Sequence, residues 1–343
     1  MTALVTGGGG FLGGAIVRAL VEGGAPARSF SRGEHPWLRE LGVAAVRGDI
    51  AESEEVLRAC EGCDVVYHVA ALAGIWGSRR LYERTNVEGT RNVIAACREH
   101  GIRRLVYTSS PSVVFEGRDQ EGVDESLPYP RRHLADYPRT KAEAERMVLA
   151  ANDHELATIA LRPHLIWGPG DPHLVPRLVA RARAGRLRLI GGRDPLVDST
   201  FIDNAAAAHL LAATRLEAGS PVAGNAYFIT NGEPLPLSGL VNGILEAAGA
   251  PPVERRIPTG LAYMTGATLE GVYRLLGLPG EPPMTRFLAR QLSTAHWFDI
   301  SAARRDLGYE PRVSIEEGLR GLRAWFEGKR GTRNVKREGA RAG

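Results

Sequence analysis

The chain has 343 residues, 44% of them hydrophobic, enough to bury a large core as one α/β unit or as two lobes. Its net charge of +4 is unevenly spread: residues 328–343 hold six basic side chains against the single acid Glu338, so the body before them stands near −1. A near-neutral body, with no basic patch interleaved with aromatics, excludes a nucleic-acid-binding surface.

Ala3–Thr6 reads as a first strand and Phe11–Glu22 as the first helix. Ala27–Ser31 and Ala44–Arg47 read as strands two and three, and residues 65–69 as strand four. A helix over residues 81–100 leads to strand five at Arg104–Thr108, and a helix over 137–151 leads to strand six at 157–161. Apolar strands alternating with helical patterns signal a Rossmann-type, doubly wound parallel sheet with crossover helices. Beyond Trp167 the rhythm breaks, and Pro and Gly become frequent, as in a smaller second lobe. Residues 199–204 and 224–230 read as returns to the sheet, and no internal repeat is present. The expected division is a nucleotide-binding core over residues 1–167, with returning segments near 196–232. A substrate lobe over 168–327 interleaves with those returns, and a tail follows over 328–343. The tail is glycine-rich, charged and poor in apolar residues, which predicts disorder.

Between the first strand and first helix lies Thr6-Gly7-Gly8-Gly9-Gly10-Phe11-Leu12-Gly13. Gly7 permits a tight turn, Gly10 lets backbone approach a pyrophosphate, and Gly13 allows close helix–strand packing. The free N–H groups of the helix N-terminus then face the phosphates. Strand two ends in Ser31-Arg32 rather than an acid, so a hydroxyl and a guanidinium stand where a ribose 2′-phosphate would bind, predicting NADP(H). Asp49, in Gly48-Asp49-Ile50 after strand three, is placed to meet the adenine ring.

The first 328 residues contain one lysine, Lys141, four residues after Tyr137. In a chain that otherwise uses arginine, a retained ammonium suggests work that a guanidinium does badly. Residues i and i+4 share a helix face, so the ammonium is expected to lie beside the phenol and lower its pKa from about 10 toward neutrality. Strand five ends in Tyr107-Thr108-Ser109-Ser110, placing hydroxyls where parallel sheets bind ligands. These groups suit a nicotinamide reduction: Tyr137 as general acid, Ser110 orienting the carbonyl oxygen, and Lys141 tuning the tyrosine and holding the ribose. At least one of Ser109 and Ser110 is expected merely to cap the turn.

These motifs, with His68-Val69-Ala70-Ala71, Asn86-Val87-Glu88-Gly89-Thr90 and the Arg162-Pro163-His164 segment, resemble the extended short-chain dehydrogenase/reductase superfamily. Within it the chain is similar to the branch holding 3β-hydroxysteroid dehydrogenases. A more specific resemblance is to reductases of 2-alkyl-3-oxoalkanoates in bacterial long-chain olefin biosynthesis, carried by YTSSPSV at 107–113, LRPHLIWGPGD at 161–171, PRLVARARAGRL at 176–187, LVDSTFIDN at 196–204 and YFITNGEPLP at 227–236, with 286–297 and 312–318. The resemblance spans residues 2 to about 325, and it implies Ser110, Tyr137 and Lys141 as catalytic residues. It implies cofactor contacts from Gly7, Gly10, Phe11, Leu12, Gly13, Ser31, Arg32, Asp49, Ile50, Ala70 and Pro163, together with Tyr137 and Lys141, and from Asn86 either a cofactor contact or a brace for the site. Thr140 stands where a serine is common before the lysine, and His164 occupies a variable position. The implied reaction is NADPH-dependent reduction of a long-chain β-keto acid to its 3-hydroxy acid. Sterol oxidation and nucleotide-sugar epimerisation or dehydration share the chemistry and remain alternatives.

Residues 259–278 hold only Glu270 and Arg274 as charges, so as a helix they present a broad apolar surface: a lid over alkyl chains, a membrane-surface contact, or core packing. The resemblance also implies a homodimer through helices 81–100 and 137–151, a hydrophobic acyl substrate, and thiolase-like and ligase-like partner enzymes. Cys60, Cys63 and Cys97 make neither a disulfide framework nor a zinc site, and Cys60-Glu-Gly-Cys63 precedes a strand rather than opening a helix, so these thiols read as structural and the compartment as reducing cytoplasm. No signal peptide or uncharged run of ~20 residues is expected.

Overall fold

Short runs of four to seven residues separated by helices satisfy their backbones side by side, and here they form one parallel sheet. The computed structural model describes residues 1–339. Strands β1 (Ala3–Thr6), β2 (Ala27–Ser31), β3 (Ala44–Arg47), β4 (Val65–His68), β5 (Arg104–Thr108), β6 (Ala157–Pro163) and β7 (Ala226–Ile229) lie in the order β7-β6-β5-β4-β1-β2-β3, all neighbours parallel. Both faces are covered. Val5, Tyr67, Val106 and Ile159 join one buried cluster, while Leu4, Val66, Leu105 and Ala160 join another on the opposite face. Strand order reverses between β1 and β4, which opens the crevice where such sheets bind ligands.

The helices that matter for the site are α1 (Phe11–Glu22), α2 (Gly89–Glu99), α3 (Asp136–Ala150), α4 (Ile202–Arg215), α5 (Thr259–Leu276) and α6 (Ile315–Gly339). The expected helix over 81–100 is continuous but starts as α-helix at Arg79–Tyr82 and passes through a π-helical turn, Glu83–Glu88, before α2. Residues 224–230 return to the sheet as expected, in β7. Residues 199–204 do not. Thr200–Phe201 pairs with Ile166–Trp167 in a separate two-stranded sheet, and Ile202 opens α4. A second sheet orders Leu235–Pro236, Leu196–Val197, His296–Phe298 and Gln120–Val123, so a segment preceding Trp167 contributes to it.

The tail expectation needs correction. Backbone from Gly328 to Gly339 continues α6, and Lys329 stacks 3.8 Å over the ring of Trp325 one turn earlier, a contact that disorder would forfeit. Residues 340–343 of the expected tail lie outside the described residues. No helix among the described residues is long and apolar enough to cross a membrane, and no cluster of His, Cys, Asp and Glu there could hold a metal ion. Cys60 and Cys63 are buried, and burial pushes the Cys60 thiol up to about 12, which keeps it protonated and inert.

Candidate active site

The crevice is built by locking two strand ends together. Thr6 Oγ1 accepts from the backbone N–H groups of Val69 and Ala70, each at 3.1 Å, and lies 2.8 Å from His68 Nδ1. With the threonine hydroxyl donating to Nδ1, the other ring nitrogen donates to Thr90 at 3.0 Å. Burial lowers the His68 pKa to about 3, so this relay stays neutral. The result presses Ala70 against the glycine loop: a Cβ on Gly7, whose φ is +69°, would come within 3.1 Å of Ala70. A Cβ on Gly13 would fall 2.2 Å from the Gly7 carbonyl oxygen. The turn is therefore shaped as a bare backbone cradle opening directly onto α1, and it fits a dinucleotide.

A cleft of about 640 Å³ runs from this cradle to the C-terminal ends of β5 and β6. Gly7, Gly10, Phe11, Leu12, Gly13, Ser31, Arg32, Ile50, Ala70, Ser110, Tyr137, Lys141 and Pro163 all line it. Two expected cofactor residues do not. Asn86 is buried behind the wall, its amide accepting from Leu72 N–H at 2.7 Å and donating to Thr140 Oγ1 at 3.0 Å. It braces α3 against the loop after β4. Asp49 sits beside an adjoining depression with Arg32 and Arg47, and its carboxylate faces Arg84 at 3.4 Å. Sequence reasoning missed His35, which lies against Gly9, and Leu165, which lines the cleft at φ +42°. A non-glycine residue held there stores strain of roughly 1–3 kcal/mol, and no sequence signal marks it.

At the reacting end, Ser110 caps the short helix Pro111–Val114, accepting from Ser112 N–H at 3.2 Å, and also hydrogen-bonds the Tyr137 hydroxyl. Ser109 also lines the cleft, but its hydroxyl is buried and unpartnered.

The expected lowering of the Tyr137 pKa does not occur. Lys141 shares the helix face, but Nζ donates to the Thr108 carbonyl at 2.5 Å and lies 4.1 Å over the Tyr107 ring. Burial pushes Tyr137 upward, opposed by the Ser110 hydrogen bond. Burial also brings the Lys141 pKa down to about 7, opposed by the charge of Glu145. Desolvation penalises the charged form of each group, and here it outweighs the Ser110 hydrogen bond on one and the Glu145 charge on the other. The phenol is thereby kept in its protonated, proton-donating form at neutral pH.

This geometry carries a stability cost. Between pH 7 and the unfolded lysine value of about 10.4, the unfolded chain holds a proton that folded Lys141 has lost, so this group's penalty is full below pH 7 and relieved as pH rises. Lys141→Met should raise stability without cofactor by about 1–4 kcal/mol at pH 6, with the gain shrinking toward pH 9. Thermal melts at the two pH values read this, and a variant less stable than wild type at pH 6 contradicts it.

The sequence matches the 3-beta hydroxysteroid dehydrogenase/isomerase family over residues 4–258. The chain belongs to that family. It is 57% identical over 327 residues to the 2-alkyl-3-oxoalkanoate reductase of Stenotrophomonas maltophilia, covering 94% of this chain and 99% of that one. It is 35% identical to the mouse (Mus musculus) sterol-4-alpha-carboxylate 3-dehydrogenase, decarboxylating, covering 92% and 88%. Among solved structures, the Thermus thermophilus UDP-glucose 4-epimerase complex with NAD superposes with a TM-score of 0.71 at 25% identity, covering 96% and 99%. The fold is thus the nucleotide-binding α/β fold expected, the cofactor is a pyridine nucleotide, and the chemistry is oxidoreduction of a hydroxyl or keto group.

Proposed function

We propose that the protein reduces the ketone of a long-chain 2-alkyl-3-oxoalkanoate to the 3-hydroxy acid, using NADPH, as a step in making long-chain olefins. The observation that carries the direction is Tyr137, held protonated by burial and hydrogen-bonded to Ser110, which suits proton donation rather than proton removal. The 57%-identical relative is named for this reduction. The more distant dehydrogenase is named for oxidising a sterol carboxylate, and the two names share an oxygen function beside a carboxylate.

When bound, the reduced nicotinamide supplies a hydride to the carbonyl carbon. Ser110 orients the carbonyl oxygen, and the Tyr137 hydroxyl donates its proton to that oxygen as negative charge develops. Lys141 holds the ribose and, when protonated, stabilises the tyrosinate left behind.

NADPH is favoured over NADH by Ser31 and Arg32 at the far end of the cleft, next to Arg47 in the adjoining depression. Arg32 has no carboxylate partner among the described residues, so its guanidinium is available to a 2′-phosphate. Arg32→Ala should raise the KM for NADPH by about 10-fold or more, the value of one charge-assisted pair, and leave that for NADH nearly unchanged. Equal effects on both cofactors would discard the assignment. The substrate reading is tested by incubating the enzyme with NADPH and a 2-alkyl-3-oxoalkanoate or a keto-sterol. Consumption of nicotinamide absorbance with the sterol alone reverses it.

The same reading makes a long-chain acyl acid the ligand, a homodimer through α2 and α3 the working state, and the cytoplasm its place, with thiolase-like and ligase-like enzymes as neighbours in the sequence of reactions.

A further inference from the structure

The glycine loop uses Gly7, Gly10 and Gly13 for its turn, its approach to phosphate and its packing, and Gly9 serves none of these. Its partner is a side chain from elsewhere. A Cβ on Gly9 would collide with the His35 ring, and one on Gly33 would come within 3.2 Å of His35 Nε2. The ring therefore touches both the glycine loop after β1 and the turn after β2, and it lines the cleft there with Ser31 and Arg32. A Rossmann fold lays the adenosine ribose between these two loops, with the pyrophosphate on the first and the ribose 2′ position at the second.

The imidazole is held in place from behind. The following proline favours extended backbone at His35, whose φ is −131° and ψ 88°. The His35 carbonyl accepts from Leu38 N–H at 3.0 Å, within the short helix Pro36–Glu40. Leu38 is buried in the core, and a Cβ on Gly14 would come within 3.2 Å of the Trp37 ring, so the indole lies directly on α1. These two anchors fix the segment, while the His35 ring itself makes no hydrogen bond or ion pair among the described residues.

The neighbouring polar groups are engaged. Glu34, the only acid of the turn, faces Arg47 at 3.7 Å, and Arg47 Nε also donates to the Arg32 carbonyl at 3.1 Å. Ser31 Oγ donates to the Gly33 carbonyl at 3.3 Å. Arg32 and His35 are left as the side chains of this turn whose N–H donors are unspent.

We infer that His35 recognises the 2′-phosphate of NADPH together with Arg32, and that position 9 is glycine so that the imidazole can stand there. The inference rests on the NADPH reading above and adds a second group to it. A neutral imidazole has one ring N–H to donate, and an imidazolium has two. A phosphate monoester offers three acceptor oxygens, one more than a bidentate guanidinium fork occupies. The NADH ribose carries a hydroxyl at that position, so a charge-assisted bond from His35 forms with NADPH alone.

Calorimetric titration with adenosine 2′,5′-bisphosphate and with adenosine 5′-phosphate, which differ only in the 2′-phosphate, reads this without turnover. Wild type should bind the bisphosphate more tightly. His35→Ala should weaken the bisphosphate by about 10-fold or more, the worth of one hydrogen bond to a charged group, and leave the monophosphate nearly unchanged. His35→Gln, which keeps an N–H donor, should restore part of the loss. Equal weakening of both ligands in His35→Ala means that the ring only packs on Gly9, and overturns the inference. A preference for the bisphosphate that survives His35→Ala but is lost in Arg32→Ala overturns it too, and leaves the NADPH reading standing. If wild type binds the two ligands equally, the NADPH reading fails and the inference falls with it.

Discussion

Tyr137→Phe should lower the rate of carbonyl reduction by about 10²–10⁴-fold, the usual worth of a positioned proton donor. Cofactor affinity should stay within a few-fold of wild type. The substitution removes one oxygen whose described partner is Ser110, and the glycine cradle lies at the other end of the cleft. Single-turnover reduction by the preformed NADPH complex isolates the chemical step, and fluorescence titration gives the cofactor affinity. The pH dependence carries a second signature. Because burial raises Tyr137, the donor form persists through neutral and mildly alkaline pH, so reduction should hold its rate there while the reverse oxidation, which needs the phenolate, climbs with pH. A phenylalanine variant within 10-fold of wild type would remove Tyr137 as the acid.

The second large effect is on stability. Arg162, on β6, and Glu145, on α3, form an ion pair at 2.6 and 3.0 Å with side chains 4% and 0% exposed. Tyr129 donates to the same carboxylate at 2.6 Å, so its acceptor positions are well used. Removing one partner strands a buried charge. Glu145→Gln or Arg162→Met should each cost about 3–5 kcal/mol, a fall in Tm of roughly 4–7 °C for a chain of this size. Replacing both by apolar side chains of similar volume should recover most of that loss. Denaturant unfolding of the two single variants and the double variant makes the comparison, and single losses under 1 kcal/mol would contradict it. Glu145 also supports the Lys141 charge from one turn away, so Glu145→Gln should shift the lysine's titration, already near 7, further toward acid.

The nucleotide-binding half was readable because its signals are local. A strand, four glycines and a helix must be neighbours in sequence to be neighbours in space, and Ala3–Thr6 through Arg104–Thr108 lie where periodicity put them. The reacting groups were readable for the same reason, since Tyr137 and Lys141 share one face of α3. What they do to each other was not. Whether an ammonium meets a phenol or a carbonyl depends on how deeply that face is buried and on where Thr108 ends its strand. Residues 199–204 misled because Thr200–Phe201 is β-like, while the alanine-rich run that makes α4 starts only after it.

The last strand of the main sheet has a consequence for synthesis. All seven residues of β6 are buried, and its outer edge is closed by β7, which arrives more than sixty residues later in the chain. While the ribosome is still making the intervening stretch, β6 offers a row of unsatisfied amides on an oily ribbon, the feature by which one nascent chain adheres to another. Until Ala226–Ile229 emerges, safe passage depends on delaying the docking of β6 or shielding it with a chaperone.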